Sequence, residues 1–274
     1  MNDSSILSRA PRAVSRPSRL RQNTIGFTTI LLREFGRITR IWGQTLLPPT
    51  VSATLYFIIF GDLIGARIGT MGGHEYIQYI APGLIMMSVI TNAFGNVAWS
   101  FFGAKNARYV EELLVSPLPN WLIVLGYVGG GILRGLLVGA AVAVVALIFT
   151  HPQVYSIWVI VSSVLLTATV FSLGGFISAM YSKSHDQISW FPTFVITPLT
   201  YLGGVFYSIQ LLPSWGQALS YANPIVYMVN VFRYGFLGVS DVNVGLAYAI
   251  MLGAAAIMFA LAVALMNRGT GIRD

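Results

Sequence analysis

Six stretches of this sequence stay apolar over about the thickness of a lipid bilayer, and no other feature limits the fold as strongly. They cover residues 43–65, 77–102, 121–149, 154–181, 188–206 and 245–266, each bounded to within a few residues. A helix rises about 1.5 Å per residue, so about 20 apolar residues cross the roughly 30 Å hydrocarbon core. Only 9% of the 274 residues are charged, against roughly 25% in a soluble globular chain, and 55% are hydrophobic. A soluble fold of this length needs far more polar surface than that. The chain therefore reads as an all-α polytopic membrane protein with six transmembrane helices. The first run carries Pro48 and Pro49, which mark a helix start or a kink. The fifth, ISWFPTFVITPLTYLGGVF, is shorter and holds Pro192 and Pro198, so its helical continuity is the weakest.

Residues 1–23, rich in Ser, Arg and Pro, read as a disordered basic cytoplasmic tail, and 24–274 as one membrane domain. In TIGFTTILLREFGRITRIW, Leu31, Phe35, Ile38 and Trp42 share one face and Arg33, Arg37 and Arg40 another. That pattern predicts an amphipathic helix lying in the membrane interface. Eight arginines precede the first apolar run. With the N-terminus inside, they join Lys105, Arg108, Lys183, Arg268 and Arg273 on the cytoplasmic side, leaving only Arg67 and Arg233 outside. The positive-inside rule thus places both termini in the cytoplasm. The net charge of +7 is accounted for by this basic flank, which contacts lipid headgroups and not nucleic acid.

The same orientation puts KNARYVEELLVSPLP, residues 105–119, in the cytosol between the second and third runs. Tyr109, Val110, Leu113 and Leu114 form an apolar stripe flanked by Glu111 and Glu112, and Pro117 and Pro119 end the helix. Two adjacent glutamates in a chain with nine acidic residues suit a protein groove better than an anionic leaflet. The segment reads as a docking helix, with a plain solvated turn as the alternative.

Several chemistries have no residues to support them. There is no cysteine, and His74, His151 and His185 show no ligand spacing, so no metal site is expected. No G-x-x-x-x-G-K-[ST] loop appears, so the chain itself is expected to bind no nucleotide and to be no enzyme. Asp62, Glu75, Asp186 and Asp241 fall at run ends or in loops, which argues against an ion-coupled carrier. Movement of a cargo would then draw on energy delivered through the docking helix.

Arg134 stands near the middle of the third run. A central arginine costs roughly 2.5–3.5 kcal/mol to insert, so backbone carbonyls, a tyrosine, cavity water or an anionic headgroup should offset it, unless it snorkels to an interface. Glycines 129, 130, 131 and 135 beside it allow close helix approach. Asn92 and Asn96, four residues apart, share a face of the second run. Thr193, Thr197 and Tyr201 make a polar strip on the fifth. Both strips either line a path or hydrogen-bond between helices. After the fifth run, LLPSWGQALSYANP aligns Leu211, Trp215 and Leu219, is preceded by Pro213 within the motif and is broken at Asn223–Pro224. IVYMVNVFRYGFLG, with Arg233, is apolar but too short to cross, so an outer re-entrant helical hairpin is expected over 208–238.

Taken together, RIWGQTLLPPTVSATLYFIIFGDLIG, YIAPGLIMMSVITNAFGNVAWSFFGAK, VEELLVSPLP, GYVGGGILRGLLVG and PTFVITPLTYLGGVFYSIQLLPSWGQALSYANPIVYMVNVFRYGFLG resemble the membrane permease subunit of type-2 ABC exporters, in its YadH-like bacterial branch. The resemblance implies six spans, an interfacial helix before the first, a coupling helix at 105–116 and two short outer helices. It implies a pair of permease copies, spans two and five at their seam, and two separate ATPase subunits that use ATP and Mg in the bacterial cytoplasmic (inner) membrane. Cargoes in such a family include lipids, glycolipids, polysaccharide intermediates and hydrophobic drugs. A non-transporting anchor for a cytosolic enzyme and a secondary carrier are the other classes that this composition permits.

Overall fold

A computed structural model describes residues 18–151 and 154–271. Most of the expected 1–23 tail lies outside the described residues, but Arg19 to Asn23 already belong to helix α1, Arg19–Arg40, which Ser18 caps. The described helices continue as α2 (Trp42–Ile68), α3 (Tyr76–Asn106), α4 (Tyr109–Val115), α5 (Asn120–Phe149) and α6 (Ile157–Tyr181). They end with α7 (residues 185–201), α8 (Ser214–Tyr221), α9 (Pro224–Leu237) and α10 (Val244–Arg268). Between α2 and α3 a small hairpin pairs Thr70–Met71 with His74–Glu75, turning at Gly72 and Gly73, both at positive φ.

Five of these helices, α2, α3, α5, α6 and α10, are long and apolar enough to cross a membrane. The expected fifth span falls short. Residues 185–201 cover roughly 25 Å at 1.5 Å per residue, and Pro192 opens a π-helical stretch to Ile196. Proline removes a donor and crowds the preceding carbonyl, so the ladder widens there. By contrast, Pro48 and Pro49 sit inside α2, whose wide π turn comes later, at Phe57–Ile64.

Helix α3 is the axis of the bundle: its apolar window is 72% buried, against 18% for α2 and 22% for α10. Ile80, Met86, Val89, Ile90, Ala93 and Val97 are wholly enclosed. Burying a side chain of this kind is worth about 1.5–3 kcal/mol against water, but against lipid the gain comes from packing. Small residues let the backbones close up. A Cβ on Gly83 would sit 2.6 Å from the Val205 carbonyl oxygen. Leu118 abuts Gly26, and Asn120 at the start of α5 donates to Asn267 near the end of α10 at 2.7 Å. Both ends of the described chain therefore lie at the same end of the bundle as α4. Helix α7 joins this end to the other one. His185 rests against Trp99 and Phe102, whereas Tyr201 meets Tyr56 and the turn beyond it backs onto Gly83.

Helix α1 does not present the expected faces. Phe35 and Trp42 are exposed, and the buried residues are Ile30, Glu34 and Ile38. The reason lies in α5. A Cβ on Gly126 would meet Ile30 at 2.6 Å and one on Gly130 would meet Glu34 at 2.7 Å, both at steps of four. The two helices thus run side by side in a glycine groove, which draws the Glu34–Arg37 edge of α1 inward.

Candidate functional site

Polar chemistry and shape come together at the exposed end at α4 and in a cavity midway along α5.

Helix α4 is mounted on its neighbours. Arg108, the described non-glycine residue at positive φ (60°), turns the chain out of α3. Lys105, in the last turn of α3, donates to the carbonyls of Met180 and Ser182, each at 2.8 Å, where α6 ends. A cation on the free carbonyls of a helix C-terminus is stabilising and fixes the joint. On this seat Val110 is buried, and Leu113 and Leu114 pack against the bundle core. The apolar stripe expected to dock therefore points largely into the chain's own bundle. The outward surface consists of Glu111, Glu112, Val115 (87% exposed) and the Tyr109 ring, which Arg33 caps at 5.6 Å.

The cavity, about 370 Å³, lies between α2, α3 and α5. Its polar lining includes Gln44, Ser52, Tyr56, Thr91, Asn92 and Arg134. Gln44, Ser52 and Thr91 are exposed, so it opens on the flank of the chain. Arg134 is half-buried; its Nε is enclosed, and no protein group among the described residues accepts a hydrogen bond from it. Tyr56 and Tyr201 exchange a hydroxyl contact at 3.1 Å, which ties α7 to the cavity rim.

The two asparagines part company. Asn92 faces the cavity and donates back to Ser88 at 3.0 Å. Asn96 is buried against α1, where its Oδ1 accepts from Arg37 at 2.7 Å. Glu34 sits beside them, 1% exposed, accepting from Arg37 at 2.7 Å, Ser100 at 2.5 Å and Asn96 at 3.4 Å. The sequence reading passed over Glu34, although its i,i+3 spacing to Arg37 signals a pair. Thr193 and Thr197 are exposed, and their hydroxyls donate to the Ser189 and Pro192 carbonyls of their own helix.

The segment expected as a hairpin holds the two short helices α8 and α9, and Arg233 is no loop charge. It is fully buried, donates to the Gly204 carbonyl at 2.6 Å and the Tyr79 carbonyl at 3.2 Å, and stacks 4.0 Å over the Tyr79 ring. Burial pushes its pKa down from the ordinary arginine value, with Tyr79 and Asp241 acting in the opposite sense. Asp241, which the sequence placed among the run-end and loop acids, accepts from Ser208 at 2.8 Å and the Ile209 amide at 3.0 Å. Asn223 caps α9 and donates to Leu199 at 2.6 Å, Pro224 fills the first helical position, and the Pro213 carbonyl receives the Gly216 amide at 2.8 Å. Among the described residues no group of three or more His, Cys, Asp or Glu could hold a metal.

A helical bundle with five span-length helices around an apolar axis, a charged cavity on its flank and an exposed acidic helix at one end is that of a polytopic membrane protein. The comparisons resolve the class further: the chain belongs to the ABC-2 type transporter membrane family, whose model matches residues 26–237. It is 53% identical over 251 residues to the inner membrane transport permease YadH of Escherichia coli K12, covering 91% of this chain and 98% of that protein. Nodulation protein J of Rhizobium leguminosarum bv. trifolii is 27% identical over 225 residues, 82% of this chain and 86% of the relative. Its counterpart in Rhizobium meliloti is 26% identical over 215 residues, 78% and 82% of the two chains. The family is one of transport permeases, not of enzymes.

Proposed function

We propose that this chain is the membrane subunit of an ATP-driven exporter in the bacterial inner membrane. A separate ATPase subunit binds ATP and Mg and docks on α4. Two permease copies form the transport unit, and the cargo is hydrophobic or amphipathic: a lipid, glycolipid, polysaccharide intermediate or drug. The observation that carries this reading is the α4 surface. Glu111, Glu112 and Val115 project from a helix whose other side is packed down and pinned by Lys105. A rigidly mounted knob can pass a push from a partner into α3 and α6.

The fold supports a six-span topology with cytoplasmic termini. A chain that begins and ends on one side crosses an even number of times. The five long helices then need a sixth crossing, and residues 185–208 offer the path. We assign Asn92, Arg134 and the Tyr56–Tyr201 pair to the transport route, and Asn96 to holding α1 in place. Glu34, neutralised by Arg37, is not a free coupling acid of the kind an ion-driven carrier needs. Co-purification tests the reading: the partner ATPase subunit should be retained by wild type and lost on Val115→Asp. Full retention by that variant, correctly inserted, overturns the docking assignment.

A further inference from the structure

We infer that the cavity at Arg134 binds the anionic headgroup, a phosphate or carboxylate, of an amphiphile whose apolar tail remains in the bilayer. The inference rests on the transport reading of that cavity and names the class of molecule it takes.

Four observations converge. The Arg134 guanidinium has no protein acceptor among the described residues, and its Nε is enclosed. No carboxylate among the described residues lines the cavity. The charge that acts on Arg134 from nearby is another cation, Arg37, which Glu34 and Asn96 already engage. An arginine in an apolar helix therefore faces a polar space with nothing of opposite sign, an arrangement that costs free energy until an anion arrives.

Shape and position agree. About 370 Å³ exceeds what one water-filled niche needs and suits a headgroup. Gln44 and Ser52, which line the same cavity, offer neutral donors to an anion beside the guanidinium. Gln44 and Pro48 come from the first turns of α2, so the cavity lies where arginine-bearing α1 hands over to α2. Arginines on an amphipathic helix seek the headgroup layer. The cavity opens on the flank of the chain beside the exposed apolar side chains of α2, Leu47, Val51 and Leu55, so a headgroup can enter it while its tail stays in lipid.

Native mass spectrometry of the full-length chain released from vesicles of equal phosphatidylglycerol and phosphatidylcholine tests this directly. Wild type should retain phosphatidylglycerol over phosphatidylcholine, and Arg134→Leu should lose that preference by at least about tenfold, the scale of a charge-assisted hydrogen bond. Arg134→Lys should keep part of it. Arg134→Leu removes a charge from an apolar helix and is expected to insert at least as well as wild type, and a monodisperse size-exclusion profile checks this. A second arm separates the sources of the anion. In phosphatidylcholine vesicles holding the permease with its ATPase, ATP-dependent transfer of fluorescent phosphatidylglycerol identifies the headgroup as cargo, whereas retention without transfer identifies a resident lipid. Equal retention of both lipids by wild type, or undiminished preference in Arg134→Leu, overturns the inference. The binding arm needs no ATPase, so its failure is distinct from a failure of the docking assignment.

Discussion

Glu34 offers the sharpest test of how α1 is held. Its side chain is 2% exposed and its partner Arg37 is 31% exposed, with 2.7 Å between them. Glu34→Gln keeps the shape and removes the charge. Breaking a fully buried pair costs roughly 3–5 kcal/mol. Arg37 reaches solvent over about a third of its surface, which lowers that figure, whereas Ser100 and Asn96 lose a charged acceptor at the same time. The expected net loss is about 2–3 kcal/mol, or roughly 5–10 °C for a chain of this size. Thermal unfolding of the detergent-solubilised chain, followed by tryptophan emission, measures it. Arg37→Gln alone should cost a similar amount, and the double variant should fall short of the sum by about 1–2 kcal/mol. Strict additivity would refute a direct pair, and an unchanged transition in Glu34→Gln would refute burial of the carboxylate.

Three other outcomes follow from the same structure. Gly130→Ala should destabilise by about 1–3 kcal/mol, because its Cβ would sit 2.7 Å from the Glu34 Cβ; wild-type melting would mean α1 does not lie in that groove. Arg233→Lys keeps the charge but loses the fork that spans the Tyr79 and Gly204 carbonyls, so limited proteolysis should cut the 202–243 region faster than in wild type, and identical cleavage rates would remove its role as a tie. On a chain without native cysteine, Ser214→Cys should react with an impermeant thiol reagent from outside intact cells and Lys183→Cys should not; the reverse pattern inverts the topology.

Helix positions were legible because lipid leaves few options for a long apolar run. The limits of that logic show in α7, where Pro192 shortens and widens a helix whose residues are apolar enough to pass as a span. Arg134 was legible as the one charge inside a run. Its exposure to a cavity was not, since the cavity walls come from α2 and α3, distant in sequence. The burial of Glu34 and the bonding of Asp241 escaped for the same reason: they depend on Gly130 and on Ser208, contacts that no local pattern encodes. The side of α4 that faces the bundle was not legible, because seven residues make two turns and periodicity that short does not fix an orientation. The Lys105 anchor and the left-handed Arg108 set that orientation.

The account turns on whether force from a nucleotide-driven partner enters through α4. The most direct measurement is ATP-dependent transfer of an amphiphile in proteoliposomes holding this chain with its proposed partner ATPase, comparing wild type with the combined Glu111→Ala, Glu112→Ala and Val115→Asp variant. The account predicts transfer by wild type that requires ATP, and none by a variant that still inserts and melts like wild type. Undiminished ATP-driven transfer by that variant would contradict it.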